Sequence, residues 1–129
     1  VSLKPGNKTI LIVEDDPILI ELFDEILSIS YATRIADNIG DAITIIQEGL
    51  IDAVISDYRL GSQNANTLVD LIVQESPELA SKTIILTGDR DLKLHHHDKI
   101  ASVLFKPIDF NSLKQEVHNL FNTPQEQQS

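Results

Sequence analysis

The 129-residue chain carries 20 acidic and 10 basic side chains, a formal net charge of −10, no cysteine, and a hydrophobic fraction of 42%. That length suits one domain with a real core; the missing cysteines exclude disulfides and thiolate metal sites, and the acidic balance argues against direct nucleic-acid binding, where Lys and Arg must neutralise phosphates. No apolar run approaches the ~20 residues of a membrane helix and the N-terminus lacks the apolar core of a signal peptide, so a cytoplasmic protein is expected.

The chain contains no Met, even at position 1, which leaves a processed protein and a segment of a longer one as the two expectations. Residues 1–8, with Pro5 and Gly6, read as a loose lead-in, residues 9–122 as the domain, and residues 123–129 as a polar, Gln-rich tail or linker.

Thr9–Val13 is a buried-strand pattern. Asp16-Pro17 starts a helix, with an Asp cap and proline at the first helical position. Ile18, Leu19, Leu22, Phe23, Ile26 and Leu27 recur at helical spacing, and the helix should end near Ser28–Ser30. Tyr31–Ala36 reads as a second strand and Asp37–Gly40 as a turn and cap cluster. A short helix follows over Asp41–Glu48, with Gly49 as its stop. Ala53-Val-Ile-Ser-Asp57 is a third strand, β-branched and short, that ends on a carboxylate.

Leu60–Asn66 reads as a polar loop, and Thr67–Glu75 as a helix stopped by Ser76-Pro77. Thr83–Leu86 is a fourth strand. Asp89–Lys99 is assigned to a helix, although its apolar period is poor. Val103–Phe105 is a fifth strand, and Asp109–Phe121 a final helix capped by Asp109 or Asn111. Strand and helix thus alternate five times. Short connections then require an α/β doubly wound, five-stranded parallel sheet flanked by helices on both faces.

Parallel strands put their carboxyl ends on one edge, where ligands bind in open α/β sheets. Glu14, Asp15, Asp57, Thr87 and Lys106 all follow strand ends on this reading. Packed carboxylates repel one another, and a divalent cation relieves them; Mg²⁺ suits a site of few carboxylates because it keeps other oxygen ligands. A hydroxyl and an ammonium on the same rim are donors for an anion. Together these groups describe a site for a phosphoryl group bridged by Mg²⁺, with a carboxylate as nucleophile. Taken singly, each has a plainer reading: Asp16 is a helix cap, Glu14-Asp15 a solvated pair, Thr87 a turn residue and Lys106 a surface lysine. Their joint placement on successive strand ends favours a site.

Four segments carry a resemblance: Ile10-Leu-Ile-Val-Glu-Asp-Asp-Pro17, Val54-Ile-Ser-Asp-Tyr-Arg-Leu60, Ile84-Ile-Leu-Thr-Gly88 and Leu104-Phe-Lys-Pro-Ile-Asp109. In order and spacing the chain resembles the receiver domain of bacterial two-component response regulators, from about Thr9 to Phe121, which implies a flavodoxin-like receiver fold. The resemblance implies that Asp57 is the phosphoacceptor. It also implies that Asp15 binds Mg²⁺ directly, with Glu14 in support and the Arg59 backbone carbonyl as a further ligand. Thr87 and Lys106 would then contact the phosphoryl group, and Lys106–Pro107 would be a cis peptide. Arg59 and Asp89 would flank the approach of water and, being oppositely charged, pair across the mouth of the site. Two positions depart from the family pattern. Val103 stands where an aromatic residue often reports phosphorylation, and Gly61–Asn66 replaces a loop usually built on Pro and Met-Asp-Gly.

The function expected is a phosphorylation-controlled signalling switch, not an enzyme. It would accept its phosphoryl group from a sensor histidine kinase or phosphotransfer protein, with an unidentified output partner. Bonds from Thr87 and Lys106, at roughly 1.5–3 kcal/mol each, approach the ~5.5 kcal/mol that inverts a 1:99 equilibrium, provided both are new in the active state. The alternative is a pseudo-receiver, the same fold used as a constitutive binding module. A flavodoxin-like cofactor binder is disfavoured because Glu14-Asp15-Asp16 follows the first strand where a phosphate loop is needed. His95-His96-His97 cannot all face one side of a helix, so a polar helix surface is expected there rather than a metal site, and a pH-sensitive partner contact is a further reading.

Overall fold

The structure is a computed structural model and describes residues 7–122. The lead-in residues 1–6 and the tail 123–129 lie outside the described residues. Among the described residues, no helix is long and apolar enough to cross a membrane.

Five parallel strands form the sheet: β1 (Thr9–Val13), β2 (Ala32–Ala36), β3 (Ala53–Asp57), β6 (Thr83–Thr87) and β7 (Ser102–Phe105), in the order β2-β1-β3-β6-β7. Two-residue strands β4 (Arg59–Leu60) and β5 (Gln63–Asn64) pair as a small antiparallel hairpin that runs from Arg59 into the expected polar loop. The helices are α1 (Pro17–Leu27), α2 (Ile39–Gln47), α3 (Asn66–Glu75), the one-turn α4 (Pro77–Ala80) and α5 (Phe110–Phe121).

Alternation along each strand splits the core. Ile10, Ile12, Ile55 and Leu86 face α1 and α5, meeting Phe23, Leu27, Leu113 and Val117. Leu11, Val13 and Val54 face the other way, against Ile39, Ala42 and Ile46 of α2 and Leu68 and Ile72 of α3. The side-chain period of two therefore assigns each residue to a layer, and both faces of the sheet are covered.

Caps set the helix starts. Asp16 Oδ1 accepts from the Ile18 N–H at 2.9 Å, ahead of Pro17. Asn38 Oδ1 accepts from the Asp41 N–H at 2.8 Å, so α2 begins at Ile39, two residues before the expected Asp41. Asp109, not Asn111, caps α5. Gly49 follows α2 at φ +82°, the left-handed position a glycine fills without steric cost. Ser76-Pro77 stops α3 and also starts α4, because Ser76 Oγ accepts from the Leu79 N–H at 3.2 Å.

One element fails to form. Residues 89–99 are turns and irregular chain, with only a 3₁₀ turn at His97–Lys99, where a helix over Asp89–Lys99 was expected. The cause is the spacing of Leu92 and Leu94. They alternate with exposed Asp91, Lys93 and His95, a period of two that a helix would scatter around its circumference. With no helical interior there, the expected polar helix surface at His95–His97 is instead a turn at His95 and His96 that leads into the 3₁₀ turn begun by His97.

Candidate functional site

The sheet turns in two directions from β1. The chain leaves β1 for β2 on one side and returns to β3 on the other, so the carboxyl ends of β1 and β3 border a topological switch point. Glu14 and Asp15 follow β1 there, and Asp57 is the last residue of β3. Thr87 ends β6, and Lys106 follows β7. All five sequence-predicted groups therefore lie on one edge, because the strands are parallel and in register.

Glu14, Asp15 and Asp57 converge, each offering a carboxylate oxygen within 4.8 Å of the others. Glu14 is only 1% exposed. Its Oε2 accepts from the Asp16 N–H at 3.2 Å, whereas Oε1 is buried without a partner. Burial, followed by the negative charge of Asp57, raises the Glu14 pKa from 4.5 to about 7. Asp57 is also raised. Its burial outweighs the hydrogen bond and charge of Lys106, whose Nζ donates to Asp57 Oδ2 at 3.1 Å. Asp15 stands exposed at the mouth.

Beside this cluster lies a cleft of about 530 Å³ lined by Asp57, Arg59, Thr87, Gly88, Asp89 and Lys106. Thr87 is buried, and its Oγ1 accepts the Asp89 N–H at 3.0 Å. The Arg59 guanidinium and Asp89 carboxylate pair at 3.5 Å on the rim, the contact expected from their opposite charges. The Lys106–Pro107 peptide is cis, also as expected. Val103 lies apart from the cleft, packed with Tyr58, Val69 and Ile85.

Two polar residues escaped the sequence reading. Tyr58 is buried beside Asp57, and the amide of buried Asn66 reaches the Tyr58 hydroxyl at 3.4 Å. Asn66 carried no signal beyond its place at the end of a polar loop.

Chemically, the edge offers an almost buried carboxylate held by one ammonium, an oxygen-only donor set with a spare buried oxygen, and a hydroxyl. Against known families, residues 10–118 match the response regulator receiver domain. Among solved structures, the chain is similar to the signal receiver domain of an HD domain-containing protein from Pseudomonas fluorescens, at 26% identity and TM-score 0.75, with 97% of each chain covered. It is similar to a response regulator receiver domain from Methylobacillus flagellatus, at 26% identity and TM-score 0.77, covering 89% of this chain and 99% of that one. A response regulator protein from Thermotoga maritima, crystallised in complex with Mg²⁺-BeF, is 25% identical with TM-score 0.77, covering 88% of this chain and 98% of that one. No curated protein sequence matches the chain.

Proposed function

The chain belongs to the response regulator receiver domain family, and we propose that it is a phosphorylation-controlled switch whose phosphoacceptor is Asp57. The observation that carries this reading is the convergence on Asp57: Lys106 holds one of its oxygens at 3.1 Å while Glu14 and Asp15 crowd it from β1. The donor would be a histidine kinase or a phosphotransfer protein in the cytoplasm. An Asp57 carboxylate oxygen attacks phosphorus, the donor's P–N bond breaks, and the leaving imidazole takes a proton from water.

Mg²⁺ fits the residues present. The donors are all hard oxygens, and Glu14 Oε1 is a buried oxygen in want of a partner. Glu14, Asp15, Asp57 and the Arg59 carbonyl would hold it, with Asp15 direct and Glu14 in support. When bound, the ion supplies positive charge against the carboxylates and the phosphoryl oxygens.

The chain's own groups do the rest. Thr87 donates its hydroxyl to the phosphoryl group and Lys106 keeps its ammonium beside it. Lys106 already pairs with Asp57 before any phosphoryl group arrives, so its bond is only partly new. Of the two contributions weighed above, the Thr87 bond is the fully new one. The switch then gains less than the ~5.5 kcal/mol of a complete inversion from these two residues alone. The domain assists its own transfer and hydrolysis but turns over no external substrate.

Intact-mass measurement after incubation with acetyl phosphate and Mg²⁺ should find one added phosphoryl group. Asp57→Asn should abolish it. Equal labelling of that variant would reject Asp57 as the acceptor, and no labelling of the wild type would leave a constitutive binding module.

A further inference from the structure

Phe23 of α1 and Phe110 of α5 meet with ring centroids 5.8 Å apart. Tyr31, just past α1, meets Phe121 at the end of α5 at 5.6 Å. The two helices therefore lie side by side and run the same way. The buried stripe of α5, Leu113, Val117 and Leu120, packs into the core. The next stripe borders a groove of about 540 Å³ between the helices. None of the groups on the carboxyl edge of the sheet lines it.

The groove has two unlike walls. From α1 and the turn after it come Ile26, Leu27 and Ile29, and Ile29 is 80% exposed. From α5 come Asn111, Lys114, Gln115 and His118, at the i, i+3, i+4 and i+7 spacing of one helix face. No carboxylate lines either wall, in a chain where acids outnumber bases 20 to 10. Glu21, Asp24, Glu25 and Glu116 belong to the same two helices, yet all stand outside the lining. Among the described residues no ion pair engages Lys114. Gln115 already donates to Asn119 at 3.1 Å, so the ammonium is the principal donor left on its wall. Tyr31 adds a phenol whose pKa burial raises, which keeps it a hydroxyl at neutral pH.

The complement of such a groove is an amphiphile with negative charge at one point. The polar wall spans seven residues, roughly 10 Å of helix, and carries one lysine. That matches a single carboxylate on a short hydrocarbon chain, and it is too little charge for a helix with an acid on every turn. We propose that the α1–α5 groove binds a medium-chain fatty acid anion, its chain along Ile26 and Ile29 and its carboxylate at Lys114. Covering the apolar wall supplies the affinity, and the ammonium selects the charged head. The proposal is independent of phosphorylation at Asp57.

Octanoate is the probe and octanol its uncharged control, titrated into the whole chain and followed by two-dimensional amide proton–nitrogen NMR. Octanoate should give saturable shifts confined to residues 26–31 and 111–118. Affinity should fall about three- to fourfold for each methylene removed between octanoate and hexanoate. Lys114→Ala should weaken octanoate about fivefold and leave octanol unchanged. Ile29→Ser should weaken both ligands. Both side chains are exposed, so both variants fold. No saturable shift with octanoate overturns the proposal, and so does equal octanoate binding by Lys114→Ala. Shifts centred on Thr87 and Lys106 would place the anion in the cleft instead. Shifts of the groove residues that follow protein concentration without octanoate would assign this face to a second copy. An acidic helical peptide that moves those residues where octanoate does not would assign it to a protein partner. Each of these three results also overturns it.

Discussion

Lys106–Asp57 and Arg59–Asp89 are ion pairs of similar length on one cleft, at 3.1 and 3.5 Å. Their surroundings differ. The Lys106 and Asp57 side chains are 29% and 10% exposed, and the buried Glu14 lies alongside; those of Arg59 and Asp89 are 72% and 37% exposed. Water screens the outer pair, and its attraction is worth little. On the cleft floor each charge has lost most of its hydration, so adding or removing one changes its neighbours. Distance alone would rank the pairs together; burial separates them.

The largest effect on the floor should come from Glu14. Its folded pKa of about 7 lies above the ordinary 4.5, so the native state holds a proton that the unfolded chain has released. Stability is therefore fully present below about 4.5 and lost as pH rises toward about 7, by roughly 3 kcal/mol over the window. The raised Asp57 acts in the same direction. Urea midpoints measured in chelator should fall across this range, Glu14→Gln should flatten the fall, and Mg²⁺ should restore stability at pH 7 by binding only the folded state. A level profile without metal would contradict the crowding of these carboxylates.

How far this was legible from sequence follows a similar division between local and distant causes. The strand ends and the cap at Asp16 depend on neighbours within a few residues and could be read directly, whereas for α5 the sequence left Asp109 and Asn111 open and the structure decides for Asp109. The convergence of Glu14, Asp15, Asp57, Thr87 and Lys106 needed only the parallel order of the strands. The 89–99 segment could not be read in this way. Its fate depends on Asn66, whose partners Lys93 and His95 stand 27 and 29 residues away, and a polar residue ending a loop gives no hint of that reach. The alternation of Leu92 and Leu94 is present in the sequence, but two residues are too few to set a period against a connection between parallel strands that usually carries a helix. The β4–β5 hairpin has the same origin, since two-residue strands leave no period to detect.

Lys106 should give an intermediate effect. Lys106→Ala leaves the Asp57 carboxylate nearly buried with no ammonium on it. Since the lysine is partly exposed, the loss should be about 1–2 kcal/mol at pH 7, below that of a fully buried pair. It should be smaller at pH 4, because the raised Asp57 carboxyl takes up its proton as pH falls and then needs no counter-charge. Asp57→Asn/Lys106→Ala should recover most of the loss, because the buried charge is gone. Denaturant unfolding of the wild type and the two variants at both pH values measures this, and a pH-independent loss would mean that Lys106 contributes by packing of its stem instead.

The rim pair should give the smallest effect on stability and a distinct one on chemistry. Exposed pairs are worth ~0–1 kcal/mol, so neither Arg59→Ala nor Asp89→Ala should move the unfolding midpoint appreciably. Their geometry matters more than their energy. Arg59 and Asp89 line the same cleft as Asp57 and Thr87, so in contact they stand at the mouth through which water would reach a phosphoryl group on Asp57. Hydrolysis needs water in line with the bond being broken, and an obstructing pair lengthens the phosphoryl half-life without stabilising the fold. Each single variant should therefore dephosphorylate several-fold faster than wild type. The double variant should be less than additive, because either change alone already opens the mouth. Half-lives of the four proteins, followed by intact mass after removal of acetyl phosphate, provide the comparison. Fully additive acceleration would mean that the two side chains act separately, and unchanged half-lives would mean that the pair stands clear of the path of water.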